Sequence, residues 1–308
     1  MSELVKSPAI GDESPVPATA AAAPEATPKQ LTQWAEIRHR FVQNKLAVVG
    51  LVIICLLFLT AIFGNMFAPF DPGAQDLENT LASPNGTHWM GTDALGRDMF
   101  SRLIAGTRVA MFVGLASIFF AVLIGVALGA IAGYFAGFAD TLVMRIADVF
   151  LAFPLMIGAV VIILVTGRGI TPVIISLAVF SWATVSRLLR SSILSVREMD
   201  YVHAAKALGA SGWRIVRTHI LPNSLTPVLV YATFNVGTTI IGVAALSFLG
   251  AGVPVDVPEW GNMLAAGQAF IGVHDYLWLY PSLFVVVTVL GFAFVGDGLR
   301  DALDPKLR

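Results

Sequence analysis

The sequence predicts an all-α protein that crosses a membrane several times. Of the 308 residues, 56% are hydrophobic and only 13% are charged, whereas a soluble domain carries about 25% charged residues. The apolar residues are gathered into long runs, and a helix of about 20 such residues spans the hydrocarbon core of a bilayer. These observations place the chain among polytopic membrane proteins rather than soluble domains.

Six apolar runs are long enough to be transmembrane helices. They cover residues 46–68, 108–134, 142–166, 170–189, 225–250 and 281–299. Only TGRGIT separates the third run from the fourth, which predicts a tight helical hairpin. Within the second run, glycines recur every four residues at Gly125, Gly129 and Gly133. Small residues at this spacing allow another helix to pack closely. We expect this face to hold the bundle together, and the alternative is that it lines an inter-subunit translocation path.

The chain before the first run has a different composition. Residues 1–34 are rich in Ala, Pro, Ser and Glu, which predicts a disordered tail. No apolar stretch follows the first basic residue, so we do not expect a signal peptide there. Residues 35–308 are predicted to form the transmembrane domain.

The distribution of Lys and Arg predicts the orientation, because cytoplasmic loops carry an excess of basic residues. If the N-terminus is cytoplasmic, all but four of the 19 basic residues lie on that side. Loop 251–280 contains neither Lys nor Arg. We therefore expect both termini and loop 190–224 to be cytoplasmic, and loops 69–107 and 251–280 to be external.

The cytoplasmic loop contains DYVHAAKALGASGWRIVRTHILP, residues 200–222. Asp200 is predicted to be the N-cap of a short helix over 201–208, and Gly209 suits the C′ position after it. Ser211 can cap a second short helix, which Pro222 is expected to end. The loop is thus predicted to be two short helices joined by a glycine turn.

Two interpretations of this loop remain open from its residues alone. Ala204 and Ala205 offer a small-residue surface that another protein could approach closely, with Arg214, Arg217 and His219 adding charge around it. Alternatively, the loop is only an amphipathic connection whose basic residues set the topology.

The spacing within this loop resembles the Glu-Ala-Ala…Gly…Leu-Pro loop of ABC-importer permeases, which lies between the fourth and fifth of six spans, as here. The resemblance implies a type I importer permease fold in which the first short helix is a coupling helix that docks on a cytoplasmic ATPase. It assigns coupling to Asp200, Tyr201, His203, Ala204, Ala205, Gly209, Arg214 and Pro222. His203 stands where that family most often has Glu; after an Asp200 N-cap, a Glu there would occupy N3 and complete a capping box.

A second motif precedes the second span, in MGTDALGRDMFSRLIAGTR, residues 90–108. Together with FAPFDP at 67–72 and GDGLRDALDPKLR at 296–308, it resembles the C-type permeases of the dipeptide, oligopeptide and nickel branch. The motif residues are Gly91, Thr92, Asp93, Gly96, Arg97, Asp98 and Arg102. The glycines suit tight turns, and Asp93, Arg97 and Asp98 can pair internally. We expect these residues to fold the external loop and fasten it to helix ends rather than to contact substrate. Loop 69–107 is also a candidate surface for docking of an external binding protein.

Loop 251–280 contains Pro254, Pro258, Trp260, Trp278 and Tyr280. Its aromatic residues predict a belt at the membrane interface, and docking of an external protein is the alternative. At the predicted inner start of the third span lie Asp140, Arg145 and Asp148, and the last two are spaced to pair on one helix face.

Motifs for catalysis are missing from the sequence. It contains no HExxH, GxSxG, phosphate-binding GxxxxGKS or Cys/His metal spacing, so we expect no enzyme activity, bound metal or cofactor in this chain. A net charge of −1 gives no sign of nucleic-acid binding. The energy for any active transport must then come from a partner.

The resemblance implies the permease subunit of an ATP-driven importer of short peptides in the bacterial cytoplasmic membrane. The implied partners are a homologous B-type permease forming a heterodimer, two ATPases that bind ATP and Mg²⁺, and an extracytoplasmic peptide-binding protein. Within this class, nickel or another small solute is the rival cargo. From other classes, a secondary transporter would need internal repeats and ionisable groups at the midplane, and a membrane-embedded enzyme would need clustered ionisable groups.

Overall fold

The computed structural model describes residues 33–303, and within this range the chain is a bundle of helices without β-strands. The predicted tail, residues 1–34, lies outside the described residues except for its last two positions. The helices are α1 Gln33–Gln43, α2 Lys45–Phe67, α3 Met99–Phe135, α4 Gly137–Ala152, α5 Leu155–Thr166, α6 Ile170–Val196, α7 Asp200–Ala207, α8 Gly212–Ile215, α9 Leu221–Ser224, α10 Thr226–Phe248, α11 Trp260–Gly267 and α12 Tyr276–Leu303. A π-helical turn, Val216–Ile220, joins α8 to α9.

Five of these helices, α2, α3, α6, α10 and α12, are long and apolar enough to cross a membrane. They correspond to five of the six predicted spans. α3 begins at Met99 rather than at residue 108, because the Asp98 carboxylate accepts the backbone N–H of Ser101 at 2.8 Å and caps the helix. With 37 residues and a rise of about 1.5 Å per residue, α3 extends well beyond the hydrocarbon core.

The third predicted span, residues 142–166, is not one straight helix but two helices separated by a break. α4 and α5 meet at an angle of 91°. Pro154 has no N–H to donate, and its ring forces the preceding residue out of the helical region. Phe153 accordingly has φ −90° and ψ 129°. Counted as one broken span, the pair raises the number of candidate spans in the described part of the chain to six.

The glycine stripe of α3 packs against α6, as predicted. A Cβ added at Gly125 would lie 2.5 Å from Val185 Cβ, and one at Gly129 would lie 2.7 Å from Ser186 O. Gly133 faces Ile193 in the same way, with a separation of 2.9 Å. Because nothing larger than a hydrogen atom fits at these positions, the two helix backbones approach each other closely along their C-terminal halves.

Both ends of the described chain lie on one side of the bundle. Asn44, which caps α2, donates from Nδ2 to Asp301 Oδ2 near the end of α12 at 3.2 Å. This pairing agrees with the prediction that both termini are on the same side. The segment between α6 and α10 lies on that side as well, since Gly212 lies against Tyr134 near the end of α3.

The second external loop contains a helix that was not predicted from the sequence. α11 packs against α10 and α12, and Trp260 at its start is 0% exposed. The indole Nε1 of Trp260 donates to Leu103 O at 3.1 Å. The assignment of Trp260 to an interfacial belt is therefore wrong, because its ring fills the space beside Gly106 on α3, 2.8 Å from where a Cβ would stand.

Candidate coupling segment and external loop

The first helix of the coupling segment, α7, begins one residue earlier than predicted. Its N-cap is Met199 and Asp200 is its first helical residue, so the prediction that Asp200 is the N-cap is wrong. The Asp200 carboxylate instead lies in the first turn, where the helix dipole favours negative charge. His203 is then one position beyond N3, and a Glu there would not complete a capping box. The Nε2 atom of His203 lies 3.8 Å from Glu198 Oε2.

Gly209 ends α7 as predicted. It has φ +77°, and its N–H donates to Lys206 O at 3.0 Å while the N–H of Ala210 donates to Ala205 O at 3.1 Å. These two bonds form a Schellman motif, in which glycine takes the left-handed conformation without a Cβ penalty. The turn fixes the direction in which the chain leaves the helix.

The second helical stretch continues through Pro222, contrary to the prediction that this proline ends it. α8, the π-turn and α9 form one run up to Ser224, and the N–H of Leu221 donates to Val216 O. In a π-turn the backbone N–H bonds the carbonyl five residues earlier instead of four. This change occurs at Leu221, one residue before Pro222, which has no N–H to donate. Ser211 is at the N-cap position of α8, as predicted, but its side chain makes no capping bond.

The segment has a buried side and an exposed side. Val202, Ile215 and Ile220 are at most 3% exposed and pack in one cluster with α6 residues such as Ile193. On the other side, Leu208 is 87% exposed and Trp213 is 73% exposed. Both residues lie outside the candidate membrane-spanning helices, and exposed apolar surface there is available to another protein.

The remaining residues assigned to coupling differ in exposure. Tyr201 is 43% exposed, and its ring lies 6.2 Å from that of His219. Ala204, Arg214 and Pro222 are exposed, whereas Ala205 is half-buried against the cluster beneath. Most of the residues assigned to coupling are therefore exposed, whereas Ala205 is partly covered.

The first external loop is held in shape by glycines in the left-handed region. Gly91 has φ +76° and Gly96 has φ +71°. A Cβ at Gly96 would lie 1.7 Å from Asp76 O, and one at Gly91 would lie 2.6 Å from Ala82 O. Both positions require glycine for conformation and for space.

The charged residues of this loop pair as a buried network. Asp93 Oδ2 accepts from Arg97 Nε at 2.7 Å and lies 3.7 Å from Arg102 Nε. Asp98 accepts from Ser101 and also contacts His88 Nδ1 at 2.9 Å. The predicted internal pairing is thus present for Asp93 and Arg97, while Asp98 pairs with His88 rather than with either arginine.

Five contacts in and between the two external loops were not predicted from the sequence. His88 stacks on Phe70 with ring centroids 4.7 Å apart. The single hydrogen of the Tyr276 hydroxyl is shared between two acceptors, Ala82 O at 3.1 Å and Thr92 O at 3.0 Å, and this ties the first loop to the start of α12. Glu259 accepts the N–H groups of Gly261 and Asn262 and caps α11. Burial raises the pKa of Glu259, although its hydrogen bonds act in the opposite direction.

The acidic residues of α4 pair with arginines of α6. Asp140 binds Arg190, and Asp148 binds Arg187. The predicted partner Arg145 lies only at the limit of an ion pair, with Nη1 4.0 Å from Asp148 Oδ2. These contacts attach α4 to α6 on the cytoplasmic side of the break at Pro154.

A cleft opens where the broken span meets α6 and α10. It has a volume of about 460 Å³ and is lined by Pro154, Phe180 and several polar groups of the two helices. The polar lining residues are Ser181, Thr184, Tyr231, Asn235, Thr238 and Thr239. Uncharged polar groups facing a cleft in a membrane protein suit the passage of a polar solute. No group of three or more metal-ligating side chains occurs in residues 33–303.

Two family models match the sequence. The model described as "Binding-protein-dependent transport system inner membrane component" matches residues 125–308. The model described as "N-terminal TM domain of oligopeptide transport permease C" matches residues 32–84.

Similar proteins of known name align over nearly the whole chain. A "Dipeptide transport system permease protein DppC" of Alkalihalophilus pseudofirmus is 41% identical over 92% of this chain and 94% of the relative. An "Oligopeptide transport system permease protein OppC" of Bacillus subtilis is 40% identical over 96% of each chain. A "Glutathione transport system permease protein GsiD" of Pectobacterium atrosepticum is 38% identical over 90% of this chain and 92% of the relative.

Solved structures share the fold at lower identity. A chain of the "MetNI methionine ABC transporter" in an inward facing conformation superposes with a TM-score of 0.57 at 22% identity, covering 67% of this chain and 98% of that one. A chain of "an amino acid ABC transporter with histidines" has a TM-score of 0.51 at 16% identity and covers 64% of this chain and 91% of that one.

Proposed function

This chain belongs to the family of binding-protein-dependent transport system inner membrane components, and from that premise we propose its role. It is the C-type permease subunit of an ATP-driven importer that moves short peptides across the bacterial cytoplasmic membrane. It is a transport component and not itself the ATPase. The names of its relatives, which refer to dipeptide, oligopeptide and glutathione transport, favour peptides over nickel as cargo.

The exposed face of the coupling segment is the observation that carries this proposal. Its inner side chains fix α7 and α8 to α6, while Leu208 and Trp213 point away from the bundle. A rigidly anchored pair of short helices with exposed apolar side chains suits docking in a groove of a cytoplasmic ATPase. Movement of that ATPase would then be transmitted directly to α6.

The assembly we propose contains four kinds of subunit. A homologous B-type permease completes a heterodimer, so that the cleft beside Pro154 becomes one half of a translocation path. Two ATPases bind ATP and Mg²⁺ and dock on the coupling segments. An extracytoplasmic binding protein delivers the peptide.

In this proposal the external motif residues have a structural role. Gly91, Thr92, Asp93, Gly96, Arg97, Asp98 and Arg102 fold the first loop and fasten it to the starts of α3 and α12. The support for this role is the buried Asp93 network and the Tyr276 contacts. The loop then forms part of the outer surface that the binding protein meets.

The experiment is co-purification of the assembled importer with Trp213→Asp in this chain. A buried aromatic residue at an interface contributes about 2 kcal/mol or more, or roughly a 30-fold loss of affinity. We expect the ATPases to be lost from the purified complex, together with ATP-driven peptide uptake in proteoliposomes. The control is Trp89→Ala, because Trp89 is also exposed, at 58%, but lies in the external loop.

Two outcomes would contradict the proposal. Full ATPase recovery with Trp213→Asp would show that the exposed face is not the docking surface. Peptide uptake by this chain alone, without ATP, would establish a secondary transporter instead.

A further inference from the structure

A cavity lies beneath the first external loop, within this chain. It has a volume of about 260 Å³. Its walls come from the loop at Asp93 and Arg97, from Arg102 on α3, and from residues of α10, α11 and α12. The cavity is separate from the cleft beside Pro154, since the two share no lining residue.

The charges lining this cavity do not balance. Arg97 and Arg102 share one carboxylate, that of Asp93, and the Arg97 and Arg102 guanidinium groups repel each other. Both oxygens of Asp93 are already engaged, Oδ1 by two backbone N–H groups and Oδ2 by Arg97. Asp98 is directed to His88 and Ser101 and does not line the cavity.

Arg102 carries the excess positive charge in a buried position. Its side chain is 3% exposed, and its Nη1 donates a hydrogen bond to Pro72 O at 3.1 Å. A guanidinium has five N–H donors, and a buried cation is costly unless it is paired. An anionic group entering the cavity would supply a further partner, and a carboxylate matches the fork of a guanidinium.

The rest of the cavity wall is mostly apolar, and its polar side chains are those of Asn262 and Ser247. Its large apolar side chains include those of Phe248, Met263, Phe270 and Leu277. The Asn262 amide donates both its hydrogens, to Val253 O and Pro254 O, which leaves Oδ1 to accept from a ligand N–H. A few directed polar groups within apolar walls are typical of a site for a small molecule.

We propose that this cavity binds the C-terminal residue of a short peptide. The terminal carboxylate pairs with Arg97 and Arg102, the last side chain lies against the apolar wall, and Asn262 Oδ1 accepts a peptide N–H. Apolar C-terminal residues are preferred. The inference rests on the proposed function and adds to it a recognition site in the permease itself, at the outer end of the bundle.

The test is equilibrium binding of Leu-Leu and of Leu-Leu amide to the purified complete importer in nanodiscs, without the binding protein. Charge-assisted hydrogen bonds predict that amidation weakens binding at least about tenfold. Arg97→Gln should weaken binding of the free acid by a similar factor. Ala265→Phe should weaken binding of both ligands by filling the cavity, which Ala265 lines. Hexanoate is the third ligand, because it has the carboxylate and the apolar chain but no peptide bond.

The matched control is Arg108→Gln, which removes an exposed arginine on the same side of the membrane that lines a different groove. It should bind Leu-Leu as the unaltered importer does. Equal affinities for acid and amide, or unchanged binding by Arg97→Gln, would overturn the inference. Binding of hexanoate without any binding of Leu-Leu would also overturn the inference, because the cavity would then bind a fatty acid and not a peptide.

ATP-driven uptake with the binding protein, measured on the same preparations, separates this inference from the proposed function. If peptide is taken up but Arg97→Gln and Ala265→Phe bind it normally, only the cavity site is wrong. If no peptide is taken up, the proposed cargo is wrong whatever the cavity binds.

Discussion

The external loop and the coupling segment both turn at glycines with positive φ, but the surroundings of those glycines differ. Gly96 has φ +71° and lies against the backbone of Asp76, while Gly209 has φ +77° and has nothing within 4 Å of where a Cβ would stand. The external turn is therefore fixed by conformation and by packing, the cytoplasmic turn by conformation alone. The external turn is thus packed within the chain, whereas the turn at Gly209 has open space around it.

The charged residues of the two sides differ in the same way. On the outer side, Asp93 and Arg102 have side chains 11% and 3% exposed. On the cytoplasmic side, Arg187 and Asp148 are 48% and 43% exposed. Buried pairs cost much when one partner is removed, whereas exposed pairs contribute little.

The strongest test of this comparison is Gly96→Ala. The added Cβ meets a backbone oxygen at 1.7 Å, and a left-handed alanine is strained as well, so we expect a loss of roughly 4 kcal/mol or more in unfolding free energy. Thermal unfolding of the detergent-purified importer measures it. An unfolding temperature like that of the unaltered protein would show that the loop is not closely packed.

Asp93→Asn should have the next largest effect. It leaves Arg97 and Arg102 without their carboxylate, which predicts a loss of about 3–5 kcal/mol in unfolding free energy. Asp148→Asn is the matched substitution on the cytoplasmic side, and there we expect about 0–1 kcal/mol. Similar losses for the two variants would contradict the distinction between a buried and an exposed network.

Gly209→Ala should cost about 1 kcal/mol, which is the strain of a left-handed alanine in open space. We expect the unfolding temperature to fall slightly while the ATPases still co-purify. A loss as large as that of Gly96→Ala would show that the coupling turn is packed against something that the chain alone does not contain.

The smallest expected effect is a pH dependence of stability caused by two carboxyl groups of the second external loop. Because burial raises the pKa of Glu259, its contribution to stability is present below its ordinary pKa and is lost as pH rises through the raised value. Asp275 behaves in the opposite way, since hydrogen bonds from Gly272 and Trp278 lower its pKa; its contribution is lost as pH falls through the lowered value. The unfolding temperature is measured across pH for two variants. Glu259→Gln should no longer lose stability as pH rises through the raised pKa, and Asp275→Asn should no longer lose stability as pH falls through the lowered pKa. Unchanged slopes in both variants would show that neither carboxyl group is responsible.

Much of the bundle could be predicted because span length and apolar composition are local properties. The break at Pro154 could not be located by an apolar run alone, although Phe153-Pro154 was the signal for it. α11 was missed because eight residues are too few to show a helical period. The composition of a loop also does not distinguish a tryptophan at the interface from one buried as Trp260 is.

In the candidate site, too, the features that depend on neighbours in sequence could be predicted, and those that depend on distant residues could not. The Gly209 turn and the Asp93–Arg97 pair depend on neighbours in sequence and were predicted. The Asp200 cap was misplaced by one residue, and the end at Pro222 was wrong because a π-turn leaves no pattern of side chains. Arg190 and Asp140 are 50 residues apart, and only the folded chain brings them together.

The contacts of the Tyr276 hydroxyl bear on the order in which parts of the protein can fold during synthesis. Its bonds to Ala82 O and Thr92 O close sequence separations of 194 and 184 residues, and Trp260 reaches back 157 residues to Leu103. While the ribosome is still synthesising the earlier spans, the first external loop lacks both of these partners. Contacts between residues so distant in sequence form late, so the outer face of the nascent protein matures only after the last helix has entered the membrane.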